Sequence, residues 1–402
     1  MPEQRVADPA TTADDLLGAY RPGDSFFSSA TLSLHGTGSL ATVDSLDALP
    51  EALAAAGQAQ SRVGAQAGQA PAPAVAMGAI PFDTARPAHL VVPETVRTAP
   101  PPTRSAERPH GWKALHGRWT ITPVPAPAEH TAAVERALKV LAGSGDELRK
   151  VVLARSLRLE STEEVDVATV LANLVRRDPQ AFGFGVNLPT RGDGVRSLIG
   201  ASPELLVSKR GRRVASNPLA GSARRSADPT KDQRNAVALL TSAKDHKEHA
   251  LVVEAVADAL GPYCRSLTVP AEPELLRTAT MWHLSTRVDG ELEDPDTPAH
   301  LLAAALHPTP AVCGVPTRQA FDTIGAIESF DRGFYTGAVG YSDAAGDGEW
   351  VVTIRCADVA GHALDLFAGG GIMPESDPGA ELAETSAKLR TLLLALGVDR
   401  AV

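Results

Sequence analysis

The chain has 402 residues, of which 38 are Lys or Arg and 48 are Asp or Glu, giving a formal net charge of −10 at pH 7. Apolar residues make up 44% of it, which is enough for a globular core and excludes a wholly disordered or fibrous chain. Because an acidic protein has no general attraction for phosphate backbones, we expect no nucleic-acid partner.

Three cysteines, none of them in a CxxC pair, indicate a reducing compartment and neither a disulfide framework nor a structural zinc site. The N-terminus has no basic segment followed by an apolar run, so we predict no signal peptide. No stretch approaches the roughly 18 uninterrupted apolar residues of a membrane span, and no coiled coil requires a dimer. These features predict a soluble, cytoplasmic monomer without a membrane partner.

The chain changes character near residue 130. Before that point Pro and Ala dominate, and short apolar runs predict strands at Val75–Ile80 and Leu90–Val92. The segment Pro100–Pro109 is typical of a flexible linker.

Beyond residue 130 the hydrophobic periodicity is clearer. It predicts helices at Ala132–Leu141, Val165–Arg176, Pro229–Leu260 with a break near Ser242, Pro295–Leu306, Thr317–Ile327, and from Pro378, capped by Asp377, to about Leu396. It predicts strands at Lys150–Leu159, Ala181–Leu188, Leu198–Ser208, Met281–Val288, Gly333–Ser342, Gly348–Val359 and His362–Gly369, with a turn at Arg191–Gly194. Runs of adjacent strands followed by helices favour an α+β class with antiparallel sheet. The glycine signatures of Rossmann and P-loop nucleotide sites are missing from the sequence.

Three charged side chains of the last predicted helix share one face, since Glu381, Glu384 and Lys388 are spaced i, i+3 and i+7. They form either a solvated stripe with one ion pair or a magnesium ligand set beside an anion-binding lysine. Glu248, in the run KDHKEH, either belongs to a polar helix surface or supplies an oxygen to a metal shared with Glu384. A zinc-protease site is excluded there, because the HExxH pattern is missing.

Arg355 falls among apolar neighbours inside the predicted strand Gly348–Val359. An unpaired buried charge costs several kcal/mol, so this arginine must form a structural ion pair or bind a planar oxyanion such as a carboxylate. His283, in another predicted strand, is either a satisfied core histidine or a contact to a ligand.

Two glycine-rich turns and two lone charges complete the candidates. The runs Pro218–Ser222 and Ala368–Gly371 are ordinary turns or expose N–H groups to a carboxylate. By themselves, Glu204 and Lys150 are interpreted as exposed side chains at a turn and at a strand end. Each signal is weak alone, but their joint order along the chain is specific.

Taken together, these segments resemble the chorismate-utilising enzyme family over about residues 140–395. The family includes isochorismate, anthranilate, aminodeoxychorismate and salicylate synthases. The motifs that carry the resemblance are Lys150–Arg155 (KVVLAR), Gly200–Glu204 (GASPE), Pro218–Arg224 (PLAGSAR), Lys244–His249, Trp282–Leu284, His307–Ala311 (HPTPA), Gly348–Cys356, Ala368–Ile372, and Glu381 with Glu384 and Lys388.

The resemblance implies an α+β fold in which a large antiparallel β-sheet sandwich is surrounded by helices. Residues 1–130 would form the N-terminal variable half of that fold. Residues 131–402 would form the chorismate-binding catalytic region, within one integrated domain.

The resemblance also implies Mg²⁺ as the cofactor and chorismate as the small-molecule substrate. Glu248 and Glu384 would bind the ion, which would chelate the ring carboxylate of chorismate, and Glu381 would reach the ion through water. Arg355 would hold the enolpyruvyl carboxylate. The other substrate contacts that it implies are Lys388, the backbone at Gly221, Ser222 and Gly369, and the side chains of His283 and Ala311.

Two further residues would carry the chemistry in such an enzyme. Lys150 would be the general base that activates water for attack at C2, and Glu204 would be the general acid that protonates the departing C4 hydroxyl. Because hydroxide is a poor leaving group, each group would accelerate the reaction by about 10²–10⁴-fold.

Differences within the family favour isochorismate synthase of the siderophore or 2,3-dihydroxybenzoate type. Ala220 stands where similar aminodeoxychorismate synthases carry a nucleophilic lysine, and ammonia-using members usually lack the lysine present here as Lys150. The alternative is a salicylate synthase, which forms isochorismate and then eliminates pyruvate. Those enzymes tend to lack the HPTPA run and often have Thr where Ala311 stands. A non-catalytic, metal-binding homologue is the alternative from another class.

Overall fold

The computed structural model describes residues 5–7, 12–67, 74–102, 113, 115–145, 147–190 and 194–398. The predicted linker, apart from residues 100–102, and residues 191–193 of the predicted turn lie outside these ranges. Within these ranges, no helix has both the length and the apolar character needed to cross a bilayer.

The helices in these ranges are α1 (Ala13–Ala19), α2 (Leu49–Ala67), α3 (Pro127–Gly143), α4 (Val167–Arg177), α5 (Pro229–Leu240), α6 (Ala243–Leu260), α7 (Ala299–Leu306), α8 (Thr317–Ile327) and α9 (Pro378–Ala395). The strands are β1 (Arg5–Ala7), β2 (Ser25–Ser28), β3 (Ser33–Thr37), β4 (Ala41–Val43), β5 (Val75–Ile80), β6 (His89–Val92), β7 (Thr95–Ala99), β8 (Trp119–Val124), β9 (Lys150–Ser161), β10 (Phe182–Leu188), β11 (Arg196–Ser202), β12 (Leu205–Arg210), β13 (Arg213–Asn217), β14 (Leu219–Arg224), β15 (Cys264–Thr268), β16 (Glu274–Arg277), β17 (Met281–Ser285), β18 (Val288–Leu292), β19 (Gly314–Val315), β20 (Ala338–Asp343), β21 (Gly348–Val352), β22 (Cys356–Ala360) and β23 (Ala363–Ile372).

Two large antiparallel sheets and one small sheet organise the fold. The first has the order β1-β7-β3-β2-β10-β11-β22-β23-β9-β19, with β8 also paired to β9, and β1–β7 is its one parallel pair among the described strands. The second has the order β15-β18-β13-β12-β21-β20-β5-β6-β4, and β14-β17-β16 form the small sheet. Strands from before and after residue 130 therefore pair with each other in each large sheet. The division into a variable half (residues 1–130) and a catalytic region (residues 131–402) stays a prediction.

The large sheets pack face to face with helices on their outer sides. Phe27 and Phe184 of the first sheet share an apolar cluster with Met77, Tyr341 and Val351 of the second. Helices α1, α4 and α9 cover the outer face of the first sheet, and α2, α6 and α7 cover that of the second. This arrangement confirms the predicted α+β sandwich surrounded by helices.

Two predicted strands were wrong in the same way. Leu198–Ser208 and Gly348–Val359 were each expected to be one strand, but each forms two strands in different sheets, β11 with β12 and β21 with β22. Because Pro203 has no N–H, it cannot continue a ladder. In the other segment Arg355 has φ 51°, which bends the chain out of extended geometry. The sequence pattern did not reveal these breaks, because apolar residues continue on both sides of each one.

The two crossings from one sheet to the other lie side by side. β11 pairs with β22 and β12 pairs with β21, so both segments leave the sheets at the same level. The Ser202 hydroxyl donates to the carbonyl of Val352 (2.7 Å), and the Val352 N–H donates to the carbonyl of Glu204 (3.1 Å). The Ala201 N–H donates to the carbonyl of Arg355 (3.1 Å). These bonds fix Glu204 and Arg355 close together between the sheets.

Other element predictions differ mainly at their boundaries. The predicted break near Ser242 is confirmed, and the Ser242 side chain caps α6 by accepting the Asp245 N–H. The Asp377 cap of α9 is confirmed by a bond from the Ala380 N–H (2.7 Å). The strand expected at Gly333–Ser342 begins only at Ala338, because the preceding residues form a turn. Met281–Val288 was expected to be one strand, but it divides between β17 and β18.

Gly200 lies just before the first crossing, and a substitution there can show how tightly that crossing is packed. A Cβ there would lie 2.3 Å from the buried Phe184 ring and 2.9 Å from the carbonyl oxygen of Arg355. We therefore expect Gly200→Ala to lower the free energy of unfolding by about 1–3 kcal/mol in urea denaturation. Gly325→Ala, in α8 with open space around it, is the control and should raise stability by up to about 1 kcal/mol. Equal stability of Gly200→Ala and the parent would contradict this packing.

Candidate active site

A cavity lies where the two segments cross between the sheets. Its walls come from both crossings, from strands β9, β14, β17 and β23, from helices α6 and α9, and from the segment 307–312, which follows α7 and ends at Val312. Most of the residues proposed from the sequence line it, namely Glu204, Gly221, Ser222, Glu248, His283, Ala311, Arg355, Gly369, Glu384 and Lys388. Lys150 and Glu381 do not line it, but each contacts its wall.

Lys150 begins β9 and is fully buried, so the interpretation as a solvated strand-end lysine is wrong. Its Nζ lies 2.9 Å from Oε1 of Glu248, an ion pair whose angles are not those of a hydrogen bond. A Cβ on Gly371 would lie 2.2 Å from Glu248 Oε1 and 2.8 Å from Lys150 Cε. Glycine is therefore required at position 371 for this pair to lie against the cavity wall.

Glu204 follows Pro203 in the first crossing and is only 3% exposed, which excludes a surface turn. Its Oε1 accepts the Leu219 N–H at 3.4 Å. Burial raises the pKa of Glu204 to about 7, although that N–H and the Lys150, Lys388 and Arg355 cations oppose the rise. A carboxyl group in this state can donate a proton near neutral pH.

Glu384 and Lys388 form an ion pair one helical turn apart on the cavity side of α9, with Nζ 2.6 Å from Oε1. Oε1 of Glu384 also accepts the Ser222 hydroxyl (2.9 Å), and Lys388 donates to the carbonyl of Gly369 (2.8 Å). Burial alone would raise the pKa of Glu384, but Lys388 and the Ser222 hydroxyl outweigh it and hold that pKa below its ordinary value. Glu384 is therefore an anion in the cavity wall, and the solvated stripe is excluded.

Glu381 lies behind the wall and is 2% exposed. Its Oε1 accepts bonds from Lys244 Nζ (3.1 Å) and the Ser376 hydroxyl (2.7 Å). Its Oε2 is buried without a hydrogen-bond partner, beside Gly370. Burial, reinforced by the Glu384 charge, raises the pKa of Glu381.

Arg355 and His283 form the opposite part of the wall, with Arg355 Nη2 3.5 Å from His283 Nε2. Arg355 is not inside a strand, which corrects the sequence-based assignment, because it ends the second crossing. Burial lowers the pKa of His283 well below its ordinary value, and the nearby Arg355 and Lys388 cations lower it further. His283 is therefore neutral, and Arg355 faces the cavity as a buried cation with no ion-pair partner within 4 Å among the described residues.

The donor set fits a hard divalent cation, although no cluster of three or more His, Cys, Asp or Glu side chains in the described ranges has the arrangement of a complete metal site. Mg²⁺ usually takes only one or two protein carboxylates and completes its shell with water and substrate oxygens. Glu248 and Glu384 both line the cavity, and the unpartnered Oε2 of Glu381 lies just behind it. These three carboxylates are the residues that could hold such an ion directly or through water.

Sequence reasoning missed several wall residues. Tyr335 and Thr336 line the cavity, but they fall in a run that was interpreted as part of a strand. Phe367 stacks on Tyr335 with ring centroids 4.9 Å apart and also lines the wall. Lys244, the partner of Glu381, was in the KDHKEH run but had no signal of its own.

Comparison with known proteins defines the class. The family model described as "Chorismate binding enzyme" matches residues 106–397. The chain therefore belongs to the chorismate binding enzyme family, which confirms the resemblance found in the sequence.

Individual relatives show which members of the family this chain is similar to. The chain is 47% identical over 393 residues to the isochorismate synthase DhbC of Bacillus subtilis (strain 168), covering 97% of each chain. It is 43% identical over 322 residues to the vibriobactin-specific isochorismate synthase of Vibrio cholerae serotype O1, covering 80% of this chain and 79% of the relative. The crystal structure of DhbC from Bacillus anthracis superposes with a TM-score of 0.87 at 43% identity, covering 96% of this chain and all of that one.

The raised pKa of Glu204 makes stability depend on pH. Because its ordinary value is 4.5 and burial raises it to about 7, the folded protein holds this proton more tightly than the unfolded chain does. The tighter binding of this proton adds to the free energy of unfolding below about pH 4.5. That contribution is lost as the pH rises from about 4.5 to about 7. Since glutamine cannot ionise, Glu204→Gln should gain stability relative to the parent between about pH 5 and pH 8, by up to a few kcal/mol.

Thermal unfolding of both proteins across that pH range measures the effect. Glu254→Gln, at an exposed position of α6, is the matched control and should follow the parent at every pH. A constant difference between Glu204→Gln and the parent would contradict the buried, proton-holding carboxyl group.

Proposed function

We propose that this protein converts chorismate to isochorismate by adding water at C2 with loss of the C4 hydroxyl. The observation that carries the proposal is the Glu204 carboxyl, which is buried in a cavity wall with a pKa of about 7. The relatives named isochorismate synthases support the same reaction.

Charge complementarity supports chorismate as the substrate. Chorismate carries two carboxylates, and the cavity presents Arg355 and Lys388 although the chain as a whole is acidic. We assign the enolpyruvyl carboxylate to Arg355, whose planar guanidinium can bind a carboxylate through two parallel hydrogen bonds. Lys388, with the backbone at Gly221, Ser222 and Gly369, would hold the other anionic groups, and His283 and Ala311 would contact the substrate.

Two proton transfers complete the proposal. Lys150, in its neutral amine form, accepts a proton from the water that forms the new bond at C2, the ring double bonds shift, and the C4–oxygen bond breaks. Glu204 donates its proton to the departing hydroxyl, which leaves as water. One water is consumed and one is released, so the product is an isomer of chorismate with its hydroxyl at C2 instead of C4, and the cycle closes when Lys150 gives up a proton to solvent and Glu204 regains one. Placing a neutral acid on the leaving group avoids the release of hydroxide into a low-dielectric site.

We further propose that Glu248 and Glu384 hold Mg²⁺ and that Glu381 contributes through water. When bound, the ion would supply positive charge next to the ring carboxylate. Each ligand now faces a lysine, Glu248 with Lys150 and Glu384 with Lys388. Binding of substrate carboxylates by Lys388 would free Glu384 for the ion.

Cellular context follows from the same comparison as a proposal. The relative named as vibriobactin-specific supports a role in siderophore biosynthesis. We propose that the protein acts as a cytoplasmic monomer with chorismate as its partner and without nucleic-acid or membrane partners.

Incubation of the protein with chorismate and Mg²⁺, followed by chromatography, tests the function directly. We expect isochorismate to form and to need the metal, because the ring carboxylate would be held by it. Salicylate and pyruvate in equal amounts would instead establish the salicylate synthase alternative. Anthranilate formed with added ammonium would contradict both, and no turnover would support the non-catalytic homologue.

The acid and base assignments predict a specific kinetic pattern. Lys150→Ala and Glu204→Gln should each lower kcat by at least about a hundredfold while largely sparing KM, because both groups act in the transition state. Initial rates over a range of chorismate concentrations measure both constants. Glu254→Gln should keep parental kinetics. Near-normal kcat in either Lys150→Ala or Glu204→Gln would show that its role is assigned wrongly.

A further inference from the structure

A buried ion pair lies just outside the cavity, and the reaction proposed above does not use it. Glu328 follows α8, and Arg332 lies four residues further along the chain. Their side chains are only 4% and 3% exposed, with Arg332 Nη2 2.5 Å from Glu328 Oε1. A buried pair of this kind is weak evidence for stability, because desolvation offsets most of the attraction. Its hydrogen bonds indicate another role.

Arg332 uses all five of its N–H donors. Two go to Glu328, from Nε (2.9 Å) and Nη2 (2.5 Å). Nη2 also donates to the carbonyl of Val152 (2.8 Å), and Nη1 donates to the carbonyl of Val312 (2.8 Å) and the hydroxyl of Thr336 (3.3 Å). Val152, Val312 and Thr336 all line the cavity and come from three separate parts of the chain.

Thr336 extends this set of contacts to the substrate-facing arginine. It has φ 59°, and among the described residues other than glycine only Arg355 shares a positive φ. Such backbone strain persists only where the surroundings enforce it. The Thr336 N–H donates to the carbonyl of Thr353 (2.8 Å), two residues before Arg355. Arg332 therefore holds the turn at Thr336, and that turn in turn holds the second crossing through its hydrogen bond to Thr353.

Glu328 ties the same arginine to the first sheet. Its Oε1 accepts the N–H of Ala154 on β9 (2.7 Å). The Arg332 guanidinium also lies 4.5 Å from the centroid of the Phe82 ring. Glu328 and Arg332 are thus fixed on the side away from the cavity. The three N–H donors of Arg332 that do not bond to Glu328 reach into the cavity wall.

We infer that Arg332, held by Glu328, is a positioning residue that sets the spacing between β9, the segment ending at Val312 and the Thr336 turn. The inference deepens the proposed function and rests on it, because these are the walls that would hold chorismate. Lysine cannot replace it, since one ammonium group cannot reach three separate acceptors while paired with Glu328.

Chemical rescue tests the inference. A separate pocket lined by Phe82, Glu328 and Arg332 gives small cations a route to this position. Arg332→Ala should lose at least about a hundredfold in kcat/KM, because misplacement by about 1 Å has that effect. Methylguanidinium at non-denaturing concentrations should restore at least about tenfold of the loss, and methylammonium should not. Failure of methylguanidinium to restore activity to folded Arg332→Ala would overturn the inference.

A second measurement does not depend on turnover. Arg332→Lys should speed amide hydrogen exchange at Val312, Cys313 and Thr336, whose N–H groups bond within the supported segments. Lys209→Met is the control, since Lys209 is a buried cation paired with Asp347 (2.9 Å) away from the cavity. It should lower the melting temperature and leave both the exchange at these sites and kcat/KM within about twofold of the parent.

The outcomes separate the two proposals. A parent protein that makes no isochorismate would overturn the proposed function, and hydrogen exchange would then decide the positioning role alone. Unchanged exchange in Arg332→Lys would overturn the positioning role whatever the parent does. Loss of the fold in both Arg332 variants, seen by circular dichroism, would also overturn it, because the pair would then serve stability.

Discussion

Burial of charge in one small cavity constrains everything around it. Glu204, Glu248 and Arg355 are buried in the cavity wall, and Glu384 and Lys388 lie partly buried in the same wall. Isolated charges in such surroundings are unstable. The structure meets this requirement for the carboxyl groups by pairing Glu248 with Lys150 and Glu384 with Lys388 and by holding the proton on Glu204, whereas Arg355 has no ion-pair partner among the described residues. In the proposed reaction, a dianionic substrate and a divalent cation would enter such a site by exchanging partners, without adding net uncompensated charge.

The fold provides this cavity by moving two neighbouring segments from one sheet to the other at the same level. The ladders break at Pro203 and at the positive φ of Arg355, and hydrogen bonds between the two crossings bring Glu204 and Arg355 close together between the sheets. Helices α6 and α9 then bring Glu248 and Glu384 to the same space from outside. The Glu328–Arg332 pair keeps the remaining wall in place.

Sequence patterns predicted most helices and the α+β class, because amphipathic periodicity and caps such as Ser242 and Asp377 are local signals. The crossings were not predictable in this way, since apolar residues continue on both sides of Pro203 and Arg355. Lys150 illustrates the same limit at the site: its partner Glu248 lies on a distant helix, so spacing alone favoured an exposed lysine. The family resemblance pointed to Lys150 and Glu248 as site residues. It did not point to Arg332, which contacts no predicted site residue and belongs to none of the motifs.

Exchange of ion-pair partners on ligand binding is the physical core of this account, and calorimetry can measure it. Mg²⁺ is titrated into the Glu204→Gln protein, which is expected to turn over too slowly to consume its substrate, with and without saturating chorismate. If chorismate takes Lys388 from Glu384, Mg²⁺ should bind at least about tenfold more tightly in its presence, and chorismate should gain equally from Mg²⁺. Equal Mg²⁺ affinity in both titrations would contradict the coupling of substrate and metal through these lysine–glutamate pairs.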